Sequence, residues 1–247
     1  MRTLPLLAAV LLASAPAGAQ QVLRPGSAGI VAASLRERTE TFDILERDAG
    51  GWIPLGEMTL RTVWATVEGR QAVVRTEQTW IDDELVQADS VVLDRRTLAP
   101  ITARQQGVES SRWLHFGEGG RLRTIDGGDW GADTADVELA EAAFLFGLTD
   151  LVLGVLPLAE GYTADFAVYD PEIGFDTVRV VVEAREELRL DSDARVAVWR
   201  VRVLDDATGG TYWMDRESHA LVQYENGART LRIVRAAPGG GRSRPAR

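Results

Sequence analysis

The feature that most constrains the fold is a regular alternation of apolar and charged residues over residues 178–190. One face of this segment carries Val178, Val180 and Val182, whereas the other carries arginine and glutamate side chains. Period two with one apolar and one charged face is typical of a half-buried β-strand. Residues 195–204 repeat the design. We therefore expect a sheet with one face turned towards a core.

Other segments rich in Val, Thr and Trp predict further strands. Asp82-Asp83 and Asn226-Gly227 separate neighbouring segments and favour hairpins. Strands and helices do not alternate, so a parallel sheet is not expected. The chain is predicted to be mainly β, with antiparallel strands over residues 41–46, 59–68, 71–81, 85–93, 101–106, 110–116, 121–125, 211–214, 221–225 and 230–234.

Residues 139–158 are the one segment that predicts helix. Glu141, Thr149 and Asp150 are its only clearly polar residues, so a helix here lacks the polar face of an ordinary surface helix and requires burial nearly all round. Gly147 and Gly154 each weaken a helix by about 1 kcal/mol relative to Ala, so two shorter helices with a bend fit as well as one. The glycines, the Thr-Asp pair and the flanking strands argue against a membrane span.

The N-terminus has the three-part pattern of a secretory signal peptide. Arg2 is followed by a short apolar stretch, and Ala17-Gly18-Ala19 is a small-residue cleavage site. We expect residues 1–19 to be removed after Ala19 and the protein to be periplasmic or secreted. The chain has no cysteine, so the pattern of a lipoprotein is absent.

The remaining chain divides into three predicted regions. Residues 20–38 form an N-terminal lead-in, residues 39–236 form a single β-rich domain, and residues 237–247 form a disordered basic tail. The formal net charge is −10, which argues against a nucleic-acid partner, because such proteins usually bind through a basic patch.

No catalytic motif is present. His115 and His219 lie in a predicted strand and a predicted hairpin loop, and neither belongs to a zinc-binding motif. The chain also lacks the G-x-S-x-G motif of many serine hydrolases. The sequence predicts a protein that is not an enzyme and needs no cofactor.

An acidic, glycine-containing loop supplies weak candidates for a metal site. Asp126, Asp129 and Asp133 could contribute oxygen ligands to Ca²⁺, although their spacing does not fit an EF-hand. The alternative is a solvated acidic loop that places negative charge near the start of the following helix.

Two short segments of the chain resemble each other. Residues 93–101 align without gaps to residues 214–222, and both contain Asp-Arg followed by a hydroxyl residue. An Asp side chain at this position can accept hydrogen bonds from backbone amides two residues further on. Either both segments are hairpin loops of one type, or Asp94, Arg95, Asp215 and Arg216 form a shared polar site.

Four segments, at residues 91–100, 156–162, 199–201 and 212–218, carry a family resemblance. Over about residues 39–234, most of the mature chain, the sequence resembles an uncharacterised family of bacterial periplasmic β proteins, a domain of unknown function, and is distantly similar to the Lol-type lipoprotein carriers. The resemblance implies a curved antiparallel sheet, or unclosed barrel, with helical segments on its concave side. In the carriers this concavity holds lipoprotein acyl chains. The chain departs from them in offering one main helical segment.

The aromatic residues bear on ligand binding. Most of the tryptophans lie in predicted strands, where they usually belong to a core. The functional interpretation is that some of them, together with the apolar segment, line a pocket for a hydrophobic ligand. Curved sheets with a partial lid commonly form such pockets. The candidate ligand-binding residues are Trp64, Trp80, Phe144, Phe146, Leu151, Trp199 and Trp213.

Two functions of different classes follow. The first is a non-enzymatic module that binds a lipid, an acyl chain or another hydrophobic ligand, and it predicts a cavity lined by the segment 139–158. The second is a structural or assembly factor of the cell envelope that acts through protein contacts, and it predicts a filled interior with an exposed sheet edge or apolar patch.

Overall fold

A computed structural model describes residues 22–128, 131–190, 194–204 and 209–236. Within these ranges one short helix, α1 (Thr149–Leu153), and two 3₁₀ turns, Ala32–Ser34 and Glu118–Gly120, accompany sixteen strands. The strands are β1 Val22–Leu23, β2 Arg38–Asp48, β3 Gly51–Val67, β4 Arg70–Ile81, β5 Glu84–Asp94, β6 Pro100–Gln106, β7 Ser110–Phe116, β8 Arg121–Gly128, β9 Gly131–Glu138, β10 Phe144–Leu145, β11 Thr163–Asp170, β12 Gly174–Arg189, β13 Arg195–Leu204, β14 Gly210–Asp215, β15 Leu221–Asn226 and β16 Leu231–Arg235.

All sixteen strands belong to one sheet. Its order is β1-β11-β12-β13-β14-β15-β16-β2-β3-β4-β5-β6-β7-β8-β9, and β10 also pairs with β11. Neighbouring strands are antiparallel, except that β1 and β10 pair parallel with β11. The sheet is continuous because β16 pairs with β2. Among the described residues no pairing joins β9 to the other end of the sheet. The prediction of a mainly β, unclosed antiparallel sheet is confirmed.

The sheet curls so strongly that its ends approach each other. Arg112 on β7 and Glu172, in the turn after β11, form an ion pair with 3.4 Å between Nη1 and Oε1. Ten strands lie between β7 and β11 in the sheet, and on a flat sheet the two would be about 50 Å apart at the usual strand spacing. The face that packs on residues 143–156 is the inner face of this curled sheet.

The helix predicted over residues 139–158 is wrong in type, although most of residues 143–156 are buried. Phe144 and Leu145 extend along the edge of β11, Gly147 turns the chain with φ of 85°, and only the five residues of α1 are helical. Pairing with β11 offers the backbone hydrogen bonds that a helix would otherwise supply, and Gly147 ends the extended stretch. We call residues 143–156 the plug, because its apolar side chains Phe144, Leu145, Leu148, Leu151, Val152, Leu153, Val155 and Leu156 belong to the core.

Two three-stranded units of the sheet share one register. The first unit is β4-β5-β6 and the second is β13-β14-β15. In each, the register of the last two strands shifts at the same place, next to Leu93 in the first and next to Met214 in the second. In the first unit, Ala72 pairs with Asp94, Val73 with Leu93 and Arg75 with Val91. The equivalent pairs of the second unit, in the same order, are Val198 with Asp215, Trp199 with Met214 and Val201 with Tyr212.

Two regions differ from the sequence prediction. The acidic loop containing Asp126 and Asp133 is a hairpin of β8 and β9, in which these two residues lie opposite each other. The strand β11 was not predicted, because its buried residues occupy both faces and leave no alternation. Residues 1–19, the tail 237–247 and Asp129 lie outside the described residues.

Candidate functional site

Two adjoining hollows lie between the plug and the inner face of the sheet. Their volumes are about 260 Å³ and 150 Å³. Glu77, Phe146 and Gly147 line both, so we treat them as one inner cleft divided by the Phe146 ring. The larger part is also lined by Met58, Leu60, Thr149, Asp150, Tyr212, Leu221, Tyr224 and Ile233, and the smaller part by Arg75, Gln87, Asp89, Val91, Gln105, Leu145 and Leu148.

The backbone of the plug fixes the position of Phe146. The Phe146 amide donates to the carbonyl of Tyr169 at 2.9 Å, which continues the pairing of β10 with β11. Gly147 then reverses the chain through a positive φ that a residue with a side chain rarely adopts. Phe146 is consequently only half-buried, whereas Phe144 and Leu151 are 1% exposed.

A buried ion pair ties the sheet to α1. Arg75 on β4 donates through Nη2 to the Asp150 carboxylate, and its Nη1 lies 2.9 Å from Thr62 Oγ1. The side chains of Arg75 and Asp150 are 4% and 10% exposed. Removing two charges from water costs several kcal/mol per ion, so a buried pair need not stabilise the fold. The presence of such a pair distinguishes this part of the inner face from an ordinary apolar core.

Glu77 lies two residues after Arg75 and faces the same cleft. Burial raises the pKa of Glu77 to about 7, with the nearby Asp89 and Asp150 carboxylates adding to the rise and Arg75 opposing it. Within the described residues no side chain or amide donates a hydrogen bond to Glu77. Its carboxyl group therefore changes charge near neutral pH.

A second group of charged side chains lies on β2 and β16. Arg38 Nε lies 2.8 Å from Glu40 Oε2, and Arg235 Nη2 lies 3.3 Å from Glu40 Oε1. Burial raises the pKa of Glu40, and the positive charges of Arg38 and Arg235 oppose the rise. The Arg38–Glu40 contact lacks hydrogen-bond alignment, since Arg38 Nε and Glu40 Oε2 are buried without a hydrogen-bond partner. The contact is close but poorly aligned.

The second unit shows that the scaffold does not require these charges. By register, Arg75 and Glu77 of the first unit are equivalent to Val201 and Val203 of the second. Both valines are buried in the core. The same three-stranded geometry is therefore built with valine where the cleft carries an arginine and a glutamate.

The candidate ligand-binding residues do not come together in one site. Phe146 lines the inner cleft, and Phe144 and Leu151 are core residues. Each of three tryptophans contacts a polar side chain elsewhere, and Trp80 is half-buried at the register shift between β4 and β5. The contacts are Arg95 over Trp64 at 4.5 Å, Arg216 over Trp199 at 4.9 Å, and Trp213 Nε1 donating to Glu186 Oε2 at 3.1 Å.

The two Asp-Arg segments form the same kind of turn. Asp94 Oδ1 accepts from two amides of its own turn, and Asp215 Oδ1 does the same. Within the described residues, no hydrogen bond or ion pair joins the two turns. In each turn one residue has a positive φ, Leu98 at 59° and His219 at 52°.

One of the metal candidates, Asp126, pairs with an arginine. Asp126 forms an ion pair with Arg112, with 2.5 Å between Oδ1 and Nε, and Asp133 lies opposite it on β9. Over the described ranges, no three His, Cys, Asp or Glu side chains are grouped as a metal site would need.

Sequence reasoning missed Arg75, Glu77, Asp89 and Asp150. Residues 75–79 are all polar, so the sequence does not show which face of the strand carries Arg75 and Glu77. Asp150 gave the clearest signal, because it is the acid in the middle of an apolar segment, where an unpaired charge is costly.

Two other hollows are larger, at about 900 Å³ and 760 Å³. The first lies beside the β15–β16 turn, and the second lies between residues 30–33 and the Asp94 turn, next to Trp64. We place the candidate site at the inner cleft because the buried charges converge there.

These features define a class of protein, one mainly β chain with a single curled, unclosed sheet and a charged cleft inside it. The chain belongs to the DUF3108 family, described as proteins of unknown function, whose model matches residues 42–233. Searches of curated proteins and of solved structures gave no match. Among the described helices, none is long and apolar enough to cross a membrane.

Proposed function

We propose that this protein is a non-enzymatic binding protein that holds a small hydrophobic or amphipathic ligand in the inner cleft. The observation that carries the proposal is the placement of Arg75 and Glu77 on the cleft wall, where the equivalent residues of the second unit are valines. Charges that the scaffold does not need, beside an apolar hollow, are typical of a site that orients a ligand.

The distant resemblance to the Lol-type carriers that the sequence suggests favours the same proposal, because the concavity of those carriers holds acyl chains. Here the plug fills most of the interior, and the inner cleft of about 260 and 150 Å³ suits a shorter apolar group. The signal-peptide pattern of residues 1–19 fits a role in the periplasm or outside the cell.

The test uses 1-octanol as a probe in isothermal titration. Thr149 lines the larger part of the cleft, so Thr149→Phe should block it, whereas Thr134→Phe on the exposed strand β9 is the matched control. We expect binding to the wild type and to Thr134→Phe, with at least tenfold weaker binding to Thr149→Phe. No binding to the folded wild type would overturn the proposal, as would equal binding to all three.

A structural or assembly factor of the envelope is the second candidate. The filled interior supports it, as does β9, which is exposed along its whole length and pairs only with β8 among the described strands. A free edge can accept a strand from another protein, although Asp133, Asp136 and Glu138 are the kind of charges that discourage such pairing. Two results together would favour this second candidate. None of the cleft probes would bind the protein, and the protein would bind an envelope partner in a way that a Pro substitution in β9 abolishes.

A further inference from the structure

The charges around the inner cleft do not balance. Arg75 forms an ion pair with Asp150, and Arg38 and Arg235 both lie close to Glu40. Asp89 accepts from the amide of Gln106 at 3.2 Å and from Gln87 Nε2 at 2.7 Å. Glu77 is the carboxylate that remains without a donor in the described part of the chain.

The position of Glu77 makes it accessible to a ligand. It lines both parts of the cleft, whereas Arg75 and Asp150 occupy each other. The groups that face it are Leu60 on β3, Asp89 on β5, Arg75 on its own strand and Asp150 on α1.

The larger part of the cleft also carries groups that suit a cation with an apolar body. Tyr212 and Tyr224 lie there with their ring centroids 4.7 Å apart, and the faces of aromatic rings attract cations. Met58, Leu60 and Ile233 supply apolar surface beside them.

We propose that the ligand of the inner cleft carries a protonated primary amine, which pairs with Glu77 while a short apolar chain lies against Met58, Leu60 and the tyrosines. This inference rests on the proposed function and adds the chemical class of the ligand. A neutral ligand would cover the half-buried Glu77 carboxylate without pairing its charge, which is costly.

The pairing predicts a pH dependence that a purely apolar site would lack. An ammonium group has a pKa near that of lysine, about 10.4, and stays charged below neutral pH. Glu77, with a pKa of about 7, is mostly ionised at pH 8 and mostly protonated at pH 5. Affinity for an amine should fall by roughly two orders of magnitude between these pH values, since each pH unit below the pKa reduces the ionised fraction about tenfold.

The experiment compares octylamine, 1-octanol and octanoate by isothermal titration at pH 8 and pH 5. We expect octylamine to bind tightest at pH 8, to weaken about a hundredfold at pH 5, and to release protons on binding near pH 7 in buffers of different ionisation enthalpy. Glu77→Gln should bind octylamine no more tightly than octanol, and its affinity for the amine should no longer depend on pH. Glu84→Gln, at an exposed position, is the matched control and should behave as the wild type.

The inference and the proposed function fail differently. If octanol binds and Thr149→Phe blocks it, while octylamine shows no advantage, no pH dependence or no response to Glu77→Gln, the amine class is wrong and the binding function stands. If octanoate binds tightest, the same conclusion follows. If no probe binds the folded wild type, both are wrong. Proton release is measured on the wild type alone. It therefore tests the inference even if the Glu77→Gln variant does not fold.

Discussion

The two three-stranded units share a register and a turn but differ on their inner faces. The first presents Arg75 and Glu77, and the second presents Val201 and Val203 at the equivalent positions. The second unit packs as an ordinary apolar core. The first buries the charge of Arg75, which pairs with the plug through Asp150, and half-buries Glu77. The difference shows that the three-stranded scaffold does not need the inner charges. A ligand site is expected at such charges.

The largest expected effect comes from breaking the buried ion pair. Asp150→Ala leaves the Arg75 guanidinium buried with Thr62 alone, and we expect a loss of about 3–5 kcal/mol in the free energy of unfolding. The double variant Arg75→Val/Asp150→Leu makes position 75 resemble Val201, and it should recover most of that loss. Urea denaturation measures both. A cost below about 1 kcal/mol for Asp150→Ala would mean that the pair is not buried as described.

The next effect is the pH dependence contributed by Glu77. Its pKa in the folded state, about 7, is raised above the unfolded value, so the native state binds the extra proton. The stabilisation is complete at low pH and is lost as the pH rises from about 4.5 through 7. Glu77→Gln should therefore match the wild type near pH 4.5 and exceed it by on the order of 3 kcal/mol at pH 8. Denaturation at the two pH values measures this. Equal stability of Glu77→Gln and the wild type at pH 8 would contradict the shifted pKa.

The two turns should respond alike. Burial acts to raise the pKa of Asp94 and Asp215, but hydrogen bonds from their own turns lower both below the usual range. Asp94→Ala and Asp215→Ala should each cost about 1–2 kcal/mol, because each leaves turn amides without an acceptor. Since both pKa values are lowered, the cost should be present at neutral pH and shrink as the pH falls through the folded pKa. Thermal unfolding at pH 7 and pH 3 is the measurement. A large effect at one turn alone would show that the turns are not equivalent.

The smallest effect concerns the arginines that cover tryptophan rings. Arg95→Met and Arg216→Met should each lower the free energy of unfolding by about 0.5–1 kcal/mol, the usual range for an exposed cation over an aromatic ring. Neither should change octanol binding, because neither arginine lines the inner cleft. A loss of octanol binding in Arg95→Met would move the site to the groove beside Trp64.

The strands were predictable wherever one face alone is buried. Val178, Val180 and Val182 gave the alternation, and Asp82-Asp83, both with positive φ, gave a hairpin turn. β11 was missed because Ala164 to Tyr169 are buried on both faces. β9 was missed because it is exposed on both faces and three of its eight residues are acids.

The plug was predicted to be buried but not in its conformation. An unbroken apolar segment is compatible with a buried helix or with buried extended chain, and tertiary pairing decides between them. Here the edge of β11 binds Phe144 and Leu145. The site could not be predicted from the sequence for a related reason. The inner position of Glu77 depends on the register with Leu60 and Asp89, and no local pattern shows that register.

The most direct test of the account is solvent extraction of the purified protein followed by mass spectrometry, with wild type and Thr149→Phe prepared from the same cells. We predict that the wild type releases one amphipathic small molecule in an amount comparable to the protein, and that Thr149→Phe, equally folded, releases little of it. The same molecule recovered equally from both proteins, or none from the wild type together with no octanol binding, would contradict the claim that the inner cleft is a ligand site.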